Sequence, residues 1–112
     1  MAGILRGDIR WAELGTTVGH EQAGVRPVLI LSNDVYNARA GMVIAVPVTS
    51  HQPRLRFPLS LELDGTSLPK RSWVKIDQIR NLSTERIGKR LARATPEQLH
   101  DVLEGLNEII EP

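Results

Sequence analysis

Apolar and polar positions alternate along most of this 112-residue chain and turn to a helical period only near its C-terminal end. Asp8-Ile9-Arg10-Trp11-Ala12-Glu13-Leu14 follows Gly7 and opens with alternation, which predicts a strand with Ile9 and Trp11 on one face. Arg26 to Ser32 has a centre that is apolar on both faces, so it belongs inside the sheet. Asn33-Asp34-Val35-Tyr36-Asn37 reads as a turn or a short helical turn, because Asn and Asp satisfy local backbone donors. Met42 to Thr49 is another apolar strand, and Pro47, which cannot donate to a ladder, puts that end at an edge or a bulge. Phe57 to Leu63 alternates without a break and predicts an outer strand with one wet face. After a turn at Asp64-Gly65, Ser72 to Ile79 alternates again, with Val74 and Ile76 toward the core and Lys75 and Asp77 sharing the other face. Ile87 to Ala94 reads as a last short strand. Thr95-Pro96-Glu97-Gln98 is a helix start with Thr95 as N-cap, Pro96 at the first helical position and Gln98 completing a capping box. Leu99, Val102, Leu103, Leu106, Ile109 and Ile110 then form one apolar stripe. The expected fold is mainly β, a small and strongly bent antiparallel sheet or barrel with a C-terminal α-helix, in a single domain over residues 1–112.

Composition narrows the chemistry. The absence of Cys excludes disulfides, zinc fingers and thiol nucleophiles, and fits a reducing cytoplasm. No apolar run approaches about 18 residues, so no membrane-spanning helix is expected, and the first residues lack the apolar stretch of a signal peptide. The net charge of +1 hides an asymmetry: residues 70–93 sum to +6 and residues 95–112 to −5. The basic segment either attracts phosphates or pairs with the acidic tail. Two Trp, one Tyr and one Phe are too few for a broad base-stacking platform.

The candidate chemistry gathers around Gly19-His20-Glu21-Gln22-Ala23-Gly24-Val25-Arg26-Pro27, a polar loop that runs straight into the apolar run Val28-Leu29-Ile30-Leu31. Pro27 pushes Arg26 toward an extended conformation, so a cation sits where a mobile loop becomes a core strand. Thr49 and the Lys75/Asp77 pair also stand at apolar strand ends, and His20 lies in the loop. RNA cleavage without metal needs such a set: a group to accept the 2′-hydroxyl proton, a group to protonate the departing 5′-oxygen, and cationic donors for the charge on phosphorus. His20, His51 and His100 do not form a metal-ligand pattern, and the chain has no P-loop or dinucleotide-type glycine loop. Composition and periodicity name no activity.

Four motifs in order resemble the MazF/PemK/Kid family of toxins from toxin–antitoxin modules: Gly7-Asp8-Ile9-Arg10-Trp11, Gly19 to Val28, Val46-Pro47-Val48-Thr49-Ser50, and Asp77-Gln78-Ile79-Arg80. The resemblance implies an SH3-like barrel with a terminal helix, acting as a homodimer. It implies metal-independent cleavage of single-stranded RNA, mainly mRNA, to 2′,3′-cyclic phosphate and 5′-hydroxyl ends, with no cofactor. It also implies an antitoxin whose acidic tail fills the RNA groove, with operator DNA bound only through that antitoxin. One branch of the family implies catalytic roles for Arg26 and Thr49, the other for the positions of His20, Lys75 and Asp77. Lys75 departs from the Arg expected there and loses the bidentate fork for phosphate. We expect Arg26 to stabilise the phosphorane, Thr49 to hydrogen-bond a phosphate oxygen, and Asp77 or His20 to take the 2′-hydroxyl proton. Glu21, Gln22 and Gln78 are expected to read base edges, with Lys75, Ser50 and Arg80 also binding substrate. The competing readings are a gyrase-poisoning toxin similar to CcdB and a non-catalytic RNA-binding barrel. The C-terminal Ile109-Ile110-Glu111-Pro112 carries no Trp of the gyrase-poison type.

Overall fold

The computed structural model describes residues 3–15 and 23–111. Among them, seven strands and two α-helices follow in the order β1 (Asp8–Glu13), β2 (Val25–Ile30), α1 (Asp34–Ala40), β3 (Met42–Thr49), β4 (Ser60–Glu62), β5 (Trp73–Lys75), β6 (Arg80–Ser83), β7 (Ile87–Arg93) and α2 (Pro96–Ile110). All strand pairs are antiparallel, in the order β4-β5-β3-β2-β1-β7, with β6 added to β3. The sheet bends at β3. Its first half pairs with β6 (Met42 to Ala45) and its end with β5 (Val48 and Thr49). Pro47 falls in the gap between these two partners, where a missing N–H costs no ladder bond on that side. The expected bent sheet with a terminal helix is therefore present, and among the described residues no pairing joins β4 to β7 to close it as a barrel.

Period-two alternation in β2 and β3 gives the sheet two apolar faces. Leu29, Leu31, Val46 and Val48 pack with Ile9, Val74 and Ile76 under Leu99 and Val102 of α2. Val28, Ile30, Val43 and Ala45 pack on the other side with Ala12, Leu14 and Leu82. β2 lies between β1 and β3, as its two-sided apolar centre requires.

A polar network fixes the α1 end of the β2–β3 pair. Ser32 Oγ accepts from the Ile44 N–H at 2.9 Å and donates to Asn37 Oδ1. Asn37 Nδ2 donates to the Ile4 carbonyl at 2.8 Å and the Ser32 carbonyl at 3.1 Å. The turn or short helical turn read at Asn33 to Asn37 is a seven-residue helix here; Asn33 caps it and Gly41, at φ 66°, ends it.

A second knot holds the sheet's outer edge. Asp8 is 1 % exposed, and its carboxylate accepts from Arg10 at 3.1 Å, Arg93 at 3.0 Å and the Leu5 N–H at 3.1 Å, with Arg90 at 4.0 Å. It thus ties the N-terminal segment, β1 and β7 together. No ion pair among the described residues joins the basic segment to the acidic tail, so that alternative is not adopted. β7 is the outermost strand of the β1 side, with Lys89 and Arg90 exposed.

Three expectations need correction. The Ser72–Ile79 strand is interrupted: β5 ends at Lys75 and Ile76–Gln78 is a 3-10 turn. Ile76 stays fully buried against α2, so the core contact survives the break. The Phe57–Leu63 strand shrinks to Ser60–Glu62 because residues 56–59 turn, with Leu59 and Ser60 N–H donating to the Arg56 carbonyl. On α2 the capping box is present as expected. The buried side, however, is Gln98, Leu99, Val102 and Gly105, while Leu103, Ile109 and Ile110 are exposed. Gln98 Nε2 donates to the Asp64 carbonyl at 2.6 Å, which docks the helix on the 64–65 turn.

Gly105 permits that docking. A Cβ there would lie 2.8 Å from Ile76 Cδ1 and 3.0 Å from the Pro58 carbonyl oxygen. Gly105→Ala is therefore expected to lower stability by about 1–3 kcal/mol in urea unfolding, despite the better helix propensity of Ala. Asp8→Ala, which leaves three arginines facing a vacated buried site, is expected to cost roughly 3–5 kcal/mol by the same measurement.

Candidate functional site

The loop after β1 is closed at its neck by backbone bonds: Leu14 N–H donates to the Gly24 carbonyl at 2.8 Å and Gly24 N–H to the Gly15 carbonyl at 3.0 Å. Arg80 and Arg86 hold the same end of β1, donating to the carbonyls of Leu14 and Glu13 at 3.3 Å each. His20, Glu21 and Gln22 lie outside the described residues.

The β2–β3 register pairs Val28 with Pro47, and continued by two residues it sets Arg26 against Thr49. Strands in such a ladder are about 4.8 Å apart. Arg26 and Thr49 do line one pocket of about 390 Å³ at the strand ends. Its apolar wall is Trp11, Val25, Pro27, Val48, Leu68 and Leu91; Ser50, Lys70 and Ser72 add polar groups.

Two local bonds orient the principal pair. Arg26 Nε donates to the Ala23 carbonyl at 3.2 Å, and among the described residues nothing else bonds the guanidinium. Thr49 Oγ1 accepts from the His51 N–H at 3.1 Å, which leaves the hydroxyl proton free to donate outward. Arg26 is exposed while Thr49 is 9 % exposed, so the site joins a solvent-facing cation to a nearly buried hydroxyl. Beside them Arg71 grips Glu62 at 2.8 and 3.0 Å and lies 5.0 Å from the centre of the Trp73 ring. These hydrogen bonds hold the Glu62 carboxyl below its usual range and push the Arg71 guanidinium up.

Lys75, Asp77 and Gln78 line a different pocket, of about 430 Å³, together with Pro53, Arg54, Leu55, Leu59 and Ser60. Arg80 is among the lining residues of neither pocket. The two sets expected from sequence are thus separate: Arg26, Thr49 and Ser50 in one place, Lys75, Asp77 and Gln78 in another. The loop leaving β3 borders both, with Ser50 at the first and Pro53 to Leu55 at the second. Sequence reasoning missed Trp11, Lys70 and Ser72 as site residues. Lys70 carried a faint signal as the start of the basic segment, while Trp11 stood in the first strand and the first family motif with no site role attached to it. Among the described residues no group of three or more His, Cys, Asp or Glu side chains is arranged to hold a metal ion. No helix among them is long and apolar enough to cross a membrane.

Known proteins share this architecture. The endoribonuclease EndoA of Bacillus subtilis (strain 168) is 30% identical over 105 residues, spanning 92% of this chain and 90% of its own. The crystal structure of MazF from Deinococcus radiodurans superposes with a TM-score of 0.86 at 30% identity, covering 100% of both chains. A mycobacterial endoribonuclease in complex with its cognate antitoxin gives a TM-score of 0.77 at 27% identity, covering 97% of each. Residues 5–110 match the family of PemK-like, MazF-like toxins of type II toxin–antitoxin systems, and the chain belongs to that family.

Proposed function

We propose that this endoribonuclease cuts single-stranded RNA, chiefly mRNA, at short sequence motifs without metal or cofactor, and so arrests translation and growth. The observation that carries the proposal is the pocket lined by both Arg26 and Thr49: among the described residues the guanidinium bonds only the Ala23 carbonyl, and the Thr49 hydroxyl accepts from the His51 N–H and keeps its proton to donate. RNA brings its own nucleophile. The 2′-oxygen attacks phosphorus, the bond from phosphorus to the 5′-oxygen breaks, and the products are a 2′,3′-cyclic phosphate and a 5′-hydroxyl.

Each group has a role matched to its chemistry. Arg26 binds the non-bridging oxygens and stabilises the charge that builds on them, since its planar fork fits phosphate and it stays protonated. Thr49 donates to one of the same oxygens. Lys70 lines the pocket and supplies the proton for the departing 5′-oxygen. The 2′-hydroxyl proton goes to His20, an assignment made from sequence. Asp77, in the second pocket, is assigned to substrate contact rather than to proton transfer.

The chain works as a homodimer in the cytoplasm, with RNA crossing the dimer. Its antitoxin competes for the groove with an acidic tail and supplies the contact to operator DNA. Relatives solved with cognate antitoxin or with MazE support that pairing.

Arg26→Ala, with the fold retained by circular dichroism, is expected to lose on the order of 10²–10³ in single-turnover cleavage. Unchanged cleavage would sink the assignment. Thr49→Val removes one hydrogen bond to an anion and is expected to slow cleavage about tenfold to a hundredfold. Excess EDTA should leave the parent rate unaltered; loss of activity restored by a divalent cation would argue for metal chemistry instead.

A further inference from the structure

The second pocket holds two opposite charges that, among the described residues, are engaged neither with each other nor with any other side chain. Among the described residues the side chains of Lys75 and Asp77 have no ion-pair or hydrogen-bond partner, although both line the same cavity of about 430 Å³. They stand two residues apart where β5 passes into the 3-10 turn. Ser60, opposite Lys75 in the β4–β5 register, donates to the Leu55 carbonyl at 2.7 Å and holds the 50–57 loop as the outer wall. Leu55 and Leu59 give that cavity apolar surface, and Arg54 stands at the same wall. Apolar sides with a carboxylate acceptor and an ammonium donor among the polar lining, beside Gln78, suit a planar heterocycle with a polar edge.

We infer that this pocket is a guanine subsite of the RNA groove; the inference rests on the ribonuclease reading. The Asp77 carboxylate accepts from the guanine N1–H and N2–H, Lys75 donates to O6, and Arg54 meets a neighbouring phosphate. Every base offers some donor and some acceptor on its Watson–Crick edge. Only guanine offers two adjacent donors, so only guanine satisfies both carboxylate oxygens while presenting an acceptor to the ammonium. Adenine and cytosine give Asp77 one amino group and set a ring-nitrogen lone pair beside it; uracil gives it a single N–H.

Two measurements separate the subsite from the reading it rests on. The first titrates guanosine and inosine monophosphates into isotope-labelled protein, inosine lacking only the N2 amine. The second maps cut sites in long RNA and replaces guanosine by inosine in a matched oligoribonucleotide. Guanosine monophosphate should shift the amide signals around Lys75 and Asp77 and bind about tenfold tighter than inosine monophosphate. The cut motif should hold a guanosine whose replacement slows cleavage about tenfold to a hundredfold. Asp77 is exposed, so Asp77→Asn keeps the fold, and it should erase the preference for guanosine over inosine. Equal binding of the two nucleotides, no response at these residues, or a motif without guanosine would overturn the subsite. Selective guanosine binding by protein that leaves RNA uncut would uphold the subsite and overturn the ribonuclease reading.

Discussion

The register between β2 and β3 is the constraint from which the site follows. Side chains along a strand change face at every residue, so a slip by one would part Arg26 from Thr49. Apolar residues alone hold this register weakly here, because both faces of β2 are buried and either set would find a core. The polar groups decide it. Ser32, Asn37 and Ile44 join through bonds that a shifted pairing leaves unmade, and a buried polar group without its partner costs about 1–3 kcal/mol. A network at one end of the strand pair thus sets the geometry of the pocket at the other.

The division of the cations follows similar logic. Much of the basic segment is not available to a substrate. Arg90 and Arg93 face Asp8, Arg71 is paired with Glu62, and Arg80 and Arg86 hold the end of β1 through backbone carbonyls. Arg26 and Lys70 in one pocket and Lys75 in the other remain outside these contacts. Charge counted along the chain therefore overstates the field that a polynucleotide meets.

Much of the fold was legible because hydrophobic period and cap chemistry are local. The strands from Asp8, from Arg26 and from Met42 and the helix capped at Thr95 stand close to where alternation and Thr-Pro-Glu-Gln put them. β6 was not, since Arg80-Asn81-Leu82-Ser83 has a single apolar residue, and only pairing with β3 makes it a strand. The buried side of α2 was displaced because Gly105 and Gln98 are chosen by a neighbour, the 57–65 segment, that periodicity cannot see. In the site, Arg26 and Thr49 were legible as polar residues ending apolar runs. Their separation from Lys75 and Asp77 was not, because it depends on which strand lies beside which. Lys70 reaches the pocket from a segment with no motif of its own, and Trp11 from a motif that carried no expectation of a site.

The charged rim of β7 bears on how the protein behaves in a crowded cell. A strand with a free side is a template for sheet growth, and copies that met there would stack into insoluble ribbons. Lys89 and Arg90 stand exposed on that strand, so two such rims repel. Edge-to-edge growth along β7 would bring like charges face to face, which works against it.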